Sequence, residues 1–262
     1  MLPAPETATF VHTAFEWTAF TVGGALYRQS IRRGEHMSTL SRRQRLTLLF
    51  GAAAGAAFGS KLAFLMYDPE AMARHARVWL FMPGGQSVVG GLAGGLIGVE
   101  ISKHAVGVRA STGDAFVVPI LVALIIGRVG CFLAGLNDGT YGLPTTLVWG
   151  IDFGDGQRRH PTQIYDQVFA LALLGALRWM RPCLSAVPGL QFKLMLSAYL
   201  LWRLLIDALK PKPFAYLGVL SGIQLLCVIA LCAYLPLVIR STTELWTLRR
   251  AGPGLNSSEV AR

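Results

Sequence analysis

Residues 116–135 read FVVPILVALIIGRVGCFLAG, a run of 20 residues in which Arg128 is the one charged side chain. About 20 mostly apolar residues in a helix span a hydrocarbon core of about 30 Å. Working outward, six further apolar stretches approach that length, at approximately 10–27, 46–66, 86–102, 163–179, 189–209 and 216–238. The first is interrupted by Glu16, and the third is short and rich in glycine. Seven such stretches predict an all-α, polytopic membrane protein with seven transmembrane helices. The connections are mostly short, so residues 1–262 read as one integral-membrane domain with a cytoplasmic tail from about 239.

Composition supports this. The 262 residues are 53% hydrophobic and only 15% charged, and mean hydropathy is +0.49. Soluble chains carry about 25% charged residues, so these charges are too few to cover a water-soluble particle. Four cysteines are too sparse for a disulfide scaffold. Residues 1–9 contain no Lys or Arg, so no cleavable signal peptide is expected and the first apolar stretch serves as a span.

The 24 Lys+Arg against 14 Asp+Glu give a net charge of +10. In a membrane protein such an excess belongs to cytoplasmic loops and lipid head groups rather than to nucleic acid. Arg28, Arg32, Arg33, Arg42, Arg43, Arg45, Lys103, Arg109, Arg178, Arg181, Arg240, Arg249, Arg250 and Arg262 fall on one side of the seven spans. Arg74, Arg77, Arg158, Arg159, Lys210 and Lys212 fall on the other. Fourteen against six places the N-terminus outside and the C-terminus in the cytoplasm. The longest outer loop, 136–162, carries Asn137-Asp138-Gly139 and Asp155-Gly156 as turn signals.

Charges inside spans are expensive and normally face a polar interior. At about 1.5 Å per residue, Arg128 comes roughly 10 Å, Arg203 roughly 9 Å, Glu16 roughly 9 Å and Lys61 roughly 7 Å below the outer ends of their spans. Gln224 lies at a similar level, with Asp166, Asp207 and His160 nearer the outer boundary. Distant parts of the sequence thus bring polar groups to one depth, which predicts a polar cavity open to the outer side. Ion pairing between these acids and arginines is the competing reading. Two guanidiniums at one depth repel unless an anion lies between them, and arginine grips phosphate oxygens bidentately. Glu100 is expected to pair locally with Lys103 or His104.

Gly127-Arg128-Val129-Gly130-Cys131-Phe132 runs into Asn137-Asp138-Gly139-Thr140-Tyr141-Gly142, followed by Arg159-His160-Pro161-Thr162-Gln163-Ile164-Tyr165-Asp166. In these segments the chain resembles the bacterial prolipoprotein diacylglyceryl transferase family. That family carries Gly-Arg-x-Gly-Asn-Phe on one span and a later Arg-His-Pro-Ser-Gln-Leu-Tyr-Glu. Residues 199–207, YLLWRLLID, are similar to the family's later arginine helix, and Ser221-Gly222-Ile223-Gln224 to the start of its last span. Gly94-Gly95-Leu96-Ile97-Gly98 is similar to its glycine-rich third span. Four departures stand out. Ala93 replaces a family histidine, Cys131 replaces an asparagine, Leu136 or Asp138 takes the place of a glutamate, and the early tyrosine motif has no counterpart near Trp17.

The resemblance implies transfer of diacylglycerol from phosphatidylglycerol to the lipobox cysteine thiol in a prolipoprotein signal peptide, releasing glycerol phosphate. It places the chain in the bacterial cytoplasmic (inner) membrane. Arg128 and Arg203 then stabilise charge on the leaving phosphate. The thiol must lose its proton to become a nucleophile. With Ala93 in place of the histidine, His160 is the leading candidate base, and Asp138 or Glu16 can serve instead. Gln163, Tyr165 and Gln224 are candidate donors to the head group, and Gly94 and Gly95 can make room for a lipid chain. The three polar residues equally suit bonds to a neighbouring helix, and close helix packing is the default reading of the glycines. His12, His36, His75, His104 and His160 are dispersed without ligand spacing, so no metal or other cofactor is expected. Cys131 reads as a small packing residue. Two alternatives are a non-catalytic or re-targeted phospholipid-binding paralogue and a lipid transporter. A transporter predicts inverted repeats and midplane polar residues, and no such repeat is visible.

Overall fold

A computed structural model of the chain describes residues 5–33, 40–74, 87–216 and 218–251. Its helices are α1 Pro5–Arg32, α2 Arg42–Tyr67, the short α3 Pro69–Arg74, α4 Val88–Ala105, α5 Val117–Ala134, α6 Thr162–Leu184, α7 Leu190–Ile206 and α8 Gly222–Ala251. Two minimal antiparallel hairpins join them: β1 Ile151–Asp152 with β2 Arg158–Arg159, and β3 Ala215–Tyr216 with β4 Leu220–Ser221. The long helices overlap all seven apolar stretches. Among the described residues, three segments, α2, Gly113–Asp138 and Gly222–Arg250, are long and apolar enough to cross a membrane by length and composition. Phe10, Trp17, Phe20, Phe50 and Trp179 remain exposed, large apolar side chains of the kind that mark an interaction or membrane surface. The chain is a predominantly helical membrane protein.

Local chemistry sets the helix ends. Ser41 caps α2 in a capping box with Gln44. Ser87 accepts from the Gly90 amide at the start of α4. The start of α7 is capped from a distance: Asp114 accepts from the amides of Gly189 (2.6 Å) and Phe192 (2.9 Å). That carboxylate also complements the positive end of the helix dipole.

Glycines set two close helix crossings. Where α2 meets α4, a Cβ on Gly94 would strike the Gly55 carbonyl and lie 2.8 Å from Gly59 Cα. Where α1 meets α5, a Cβ on Gly130 would lie 2.6 Å from Phe15 Cβ and 3.4 Å from the His12 carbonyl oxygen. Small residues let backbones approach in this way, and packing is what holds helices together in lipid. Tyr27 stacks on Phe116 at 4.7 Å at the other end of the α1–α5 seam. Val117, Leu121, Ala170, Met195, Tyr199, Leu200 and Ile223 form the core among α5, α6, α7 and α8.

The tail expected from about 239 is largely helical, since α8 runs on to Ala251. Lys193 donates to buried Ser241 (2.5 Å), and Leu245 and Leu248 pack on the core, so this part of the helix has its own tertiary support. Residues 252–262 lie outside the described segments.

Candidate functional site

Three helices converge on the carboxylate of Asp166 in α6. Arg128 Nε of α5 lies 3.0 Å from its Oδ2, Arg203 Nη1 of α7 lies 3.7 Å away, and the Lys210 ammonium lies 3.6 Å away. Trp202 Nε1 donates to the other oxygen, Oδ1, at 2.8 Å, and the Trp202 ring is held by stacking on Phe169. Arg203 also donates to Asp207 Oδ1 at 3.2 Å, and Ser221 donates to Asp207 Oδ2. All five charged groups are buried. With every group ionised, three cations face two carboxylates, a surplus of one positive charge that is present only while Lys210 holds its proton.

Hydrogen bonding is incomplete as well. Arg203 Nε and Nη1, Arg128 Nε, Asp166 Oδ2, the Tyr199 hydroxyl and both polar atoms of the Gln163 amide are buried with no hydrogen-bond partner among the described residues. Tyr199 stands one turn before Arg203, and Gln163 stands three residues before Asp166. The charge pairs are close but poorly aligned. Unmade hydrogen bonds on buried groups cost about 1–3 kcal/mol each. A tetrahedral anion offers the acceptors these donors lack. Asp166 already lies between Arg128 and Arg203, where the sequence reading places an anion, and the surplus charge leaves a second anion electrostatically favoured.

Lys210, in the loop after α7, loses charge stability there. Burial, followed by repulsion from Arg203, pushes its ammonium down to about 7, against the attraction of Asp166.

A second cluster lies on the α1 side of Arg128. His12 Nδ1 is 2.9 Å from Asp138 Oδ1, and its Nε2 is 3.2 Å from Glu16 Oε1. Thr140 donates to Asp138 Oδ2. Arg128 Nη1 donates to Cys131 Sγ at 3.8 Å, joining the two clusters. One ligand atom from each of His12, Cys131 and Asp138 lies within 4.8 Å of the other two. Asp138 reaches this place because the 3-10 turn Gly135–Asp138 ends at Gly139, whose φ of +68° reverses the chain. Asn137-Asp138-Gly139 thus forms the turn expected of it, and Asp155-Gly156 closes the β1–β2 hairpin with Gly156 at φ +75°.

The other candidates fall elsewhere. His160 Nδ1 faces the Tyr165 hydroxyl at 3.4 Å, and Trp149 Nε1 donates to that same hydroxyl at 2.8 Å. His160, just after β2, and Tyr165, in the first turn of α6, are therefore engaged with each other and with Trp149. Gln224 bonds the Ser221 amide and the Leu204 carbonyl, both at 3.0 Å, so it fastens α8 to α7. Gly94 is taken up by the contact with Gly55 and Gly59, and a Cβ on Gly95 would lie 3.4 Å from the Ala52 carbonyl. Glu100 pairs with Lys103 at 3.0 Å, as its spacing predicts.

His12 is the residue that sequence reasoning missed. Its one sequence signal is Glu16, four residues on and so on the same helix face. Nothing in linear spacing joins 12 to 131 and 138; the close α1–α5 crossing at Gly130 does. Reading the histidines for ligand spacing along the chain thus missed a mixed His, Cys and Asp group assembled from separate elements.

The prolipoprotein diacylglyceryl transferase family matches residues 11–240 of the chain. The phosphatidylglycerol–prolipoprotein diacylglyceryl transferase of Bordetella parapertussis is 28% identical over 209 residues, 78% of each chain. The protein of that name from Geobacter sulfurreducens is 30% identical over 185 residues, 67% of this chain and 68% of its own. The one from Nitratidesulfovibrio vulgaris is 33% identical over 188 residues, 66% of this chain and 68% of its own. The matched region contains both clusters.

Proposed function

The chain belongs to the prolipoprotein diacylglyceryl transferase family, and we propose that it moves the diacylglyceryl group of phosphatidylglycerol onto the lipobox cysteine thiol of a prolipoprotein. Its relatives are named for this transfer between phosphatidylglycerol and prolipoprotein. One observation carries the assignment of residues: Arg128 and Arg203, from different helices, meet at one buried carboxylate, with Lys210 beside them as a third cation against two acids.

In this reading all seven long helices cross the cytoplasmic membrane, with the N-terminus outside. The Arg128–Arg203 cluster then lies in the outer half of the bilayer, at the level of phospholipid phosphates. The lipid phosphate docks on Arg203 Nε and Nη1, with Tyr199 and Gln163 as further donors. The incoming thiol loses its proton, and the thiolate attacks the glyceryl carbon. A carbon–sulfur bond forms, the carbon–oxygen bond breaks, and glycerol phosphate leaves with that electron pair. The phosphodiester monoanion becomes a monoester dianion. Arg128, Arg203 and Lys210 stabilise the added charge in a buried site, where fixed donors act most strongly. Of the candidate bases, Asp138 and Glu16 stand with His12 beside Arg128's neighbour Cys131, while His160 is engaged with Tyr165.

Complementation tests the reading. The wild-type chain should sustain growth of a bacterium depleted of its own transferase, and Arg128→Ala and Arg203→Ala should not. Failure of a well-expressed wild-type chain would favour the phospholipid-binding paralogue that makes no transfer.

A further inference from the structure

We propose that His12, Cys131 and Asp138 form a zinc site whose open fourth position receives the incoming thiol. Zinc takes sulfur, nitrogen and carboxylate oxygen together, and catalytic sites use three protein ligands plus one exchangeable position. The three candidate ligand atoms lie within 4.8 Å of one another, so the small closing movement needed to share an ion is local.

What surrounds the three ligands makes the case. Each has its other polar side occupied. His12 Nε2 faces Glu16 Oε1 at 3.2 Å, which leaves Nδ1 for an ion. Thr140 donates to Asp138 Oδ2, which leaves Oδ1. Arg128 Nη1 donates to the Cys131 sulfur at 3.8 Å, which fixes where that sulfur sits. Outer partners of this kind orient metal ligands and tune their basicity. His12 Nδ1 is buried 2.9 Å from Asp138 Oδ1 and yet lacks hydrogen-bond alignment to it. Two ligand atoms so placed suit a shared ion better than each other.

Charge and access agree. Zinc with one thiolate and one carboxylate is neutral, so the site tolerates Arg128 beside it. Glu16 is 43% exposed while Asp138 is 8% exposed, which leaves the cluster open on the α1 side. The role of the ion rests on the transferase reading. His12, Cys131 and Asp138 would hold the ion, which would bind the incoming sulfur as thiolate and present it to the glyceryl carbon, the thiol proton leaving to water on the side where Glu16 is exposed. The leaving phosphate oxygen takes the carbon–oxygen electron pair and stays on Arg128 and Arg203. Arg128 touches both clusters, so the nucleophile and the leaving group are held side by side.

The test is made on the full chain in detergent or nanodiscs. Purification without chelators should give about one zinc per chain by mass spectrometry of the metal. Cobalt loading should give a thiolate-to-cobalt charge-transfer band. Cys131→Ser should abolish that band, and His12→Ala and Asp138→Asn should lower the metal content, with helical circular dichroism unchanged. A lipobox peptide should perturb the band, and its Cys→Ser counterpart should not. A wild-type chain with no zinc and no cobalt band overturns the proposal. So does a cobalt spectrum unchanged in Cys131→Ser, which remains decisive if the other variants fold poorly. Full transfer by a metal-free chain would overturn the ion's role in receiving the thiol and leave the transferase reading standing. Stoichiometric, Cys131-dependent metal in a chain that transfers nothing would do the reverse.

Discussion

Arg128 Nε on α5 lies 3.0 Å from Asp166 Oδ2 on α6, with both side chains buried. Around this contact Asp166 also faces Arg203 and Lys210, so one carboxylate restrains three cations. Breaking a buried ion pair by removing one partner costs about 3–5 kcal/mol, because the remaining charge is left without compensation. Asp166→Ala should therefore destabilise the protein by about that amount, read from unfolding in detergent. An Asp166→Ala protein as stable as wild type would show that the cluster is solvated.

Lys210 makes the behaviour with pH asymmetric. Its folded ammonium is pushed down to about 7, while the unfolded chain holds the same proton to about pH 10.4. Between those limits the unfolded state binds more protons, so stability should rise with pH. The positive charge available to a phosphate falls across the same window. Affinity for phosphatidylglycerol should thus weaken from about pH 7 to about pH 9 while the melting temperature increases. Lys210→Met should flatten both profiles, as measured by lipid binding and by thermal unfolding.

Gln163 separates a lipid contact from a structural one. Its amide is fully buried, with no partner among the described residues. An unsatisfied amide costs about 1–3 kcal/mol, so Gln163→Leu should keep or raise stability. If the amide binds the lipid head group, the same variant should raise KM for phosphatidylglycerol. A lower melting temperature with unchanged KM would make Gln163 a helix-bridging residue.

Two glycines should respond oppositely. Any side chain on Gly94 meets the backbone of Gly55 and Gly59, so Gly94→Val should lose about 1–3 kcal/mol. At Gly175 in α6 an added Cβ would meet nothing within 4 Å among the described residues. Gly175→Ala should accordingly be neutral or stabilising by about 0.5–1 kcal/mol. Melting temperatures of the two variants in the same detergent check both expectations.

Much of this architecture is legible in the chain because lipid imposes a length on apolar runs. The long helices overlap the seven apolar stretches, and the Glu100–Lys103 pair and the Asn137-Asp138-Gly139 turn follow from local spacing. Arg128 and Arg203, expected at one depth, both reach the carboxylate of Asp166. Their company is partly internal: Asp166 and Asp207 neutralise two of three cations, a balance that depth alone does not predict. His12 was illegible for a different reason. It joins Cys131 and Asp138 through a helix crossing that Gly130 permits, and a crossing leaves no periodic mark. His160 reads as a base because Ala93 stands where the family has a histidine; its place after β2 sets its Nδ1 3.4 Å from the Tyr165 hydroxyl, a contact that linear sequence does not show.

The central claim, that these arginines hold a leaving phosphate during group transfer, is tested most directly by reconstitution. The purified chain in phosphatidylglycerol nanodiscs is given a lipobox peptide, and both products are followed by mass spectrometry. Wild type should release one glycerol phosphate for each peptide that gains a diacylglyceryl thioether, and Arg203→Ala should slow this by about 10²–10³. A folded wild-type chain that forms no thioether, or an Arg203→Ala chain as fast as wild type, would contradict the account.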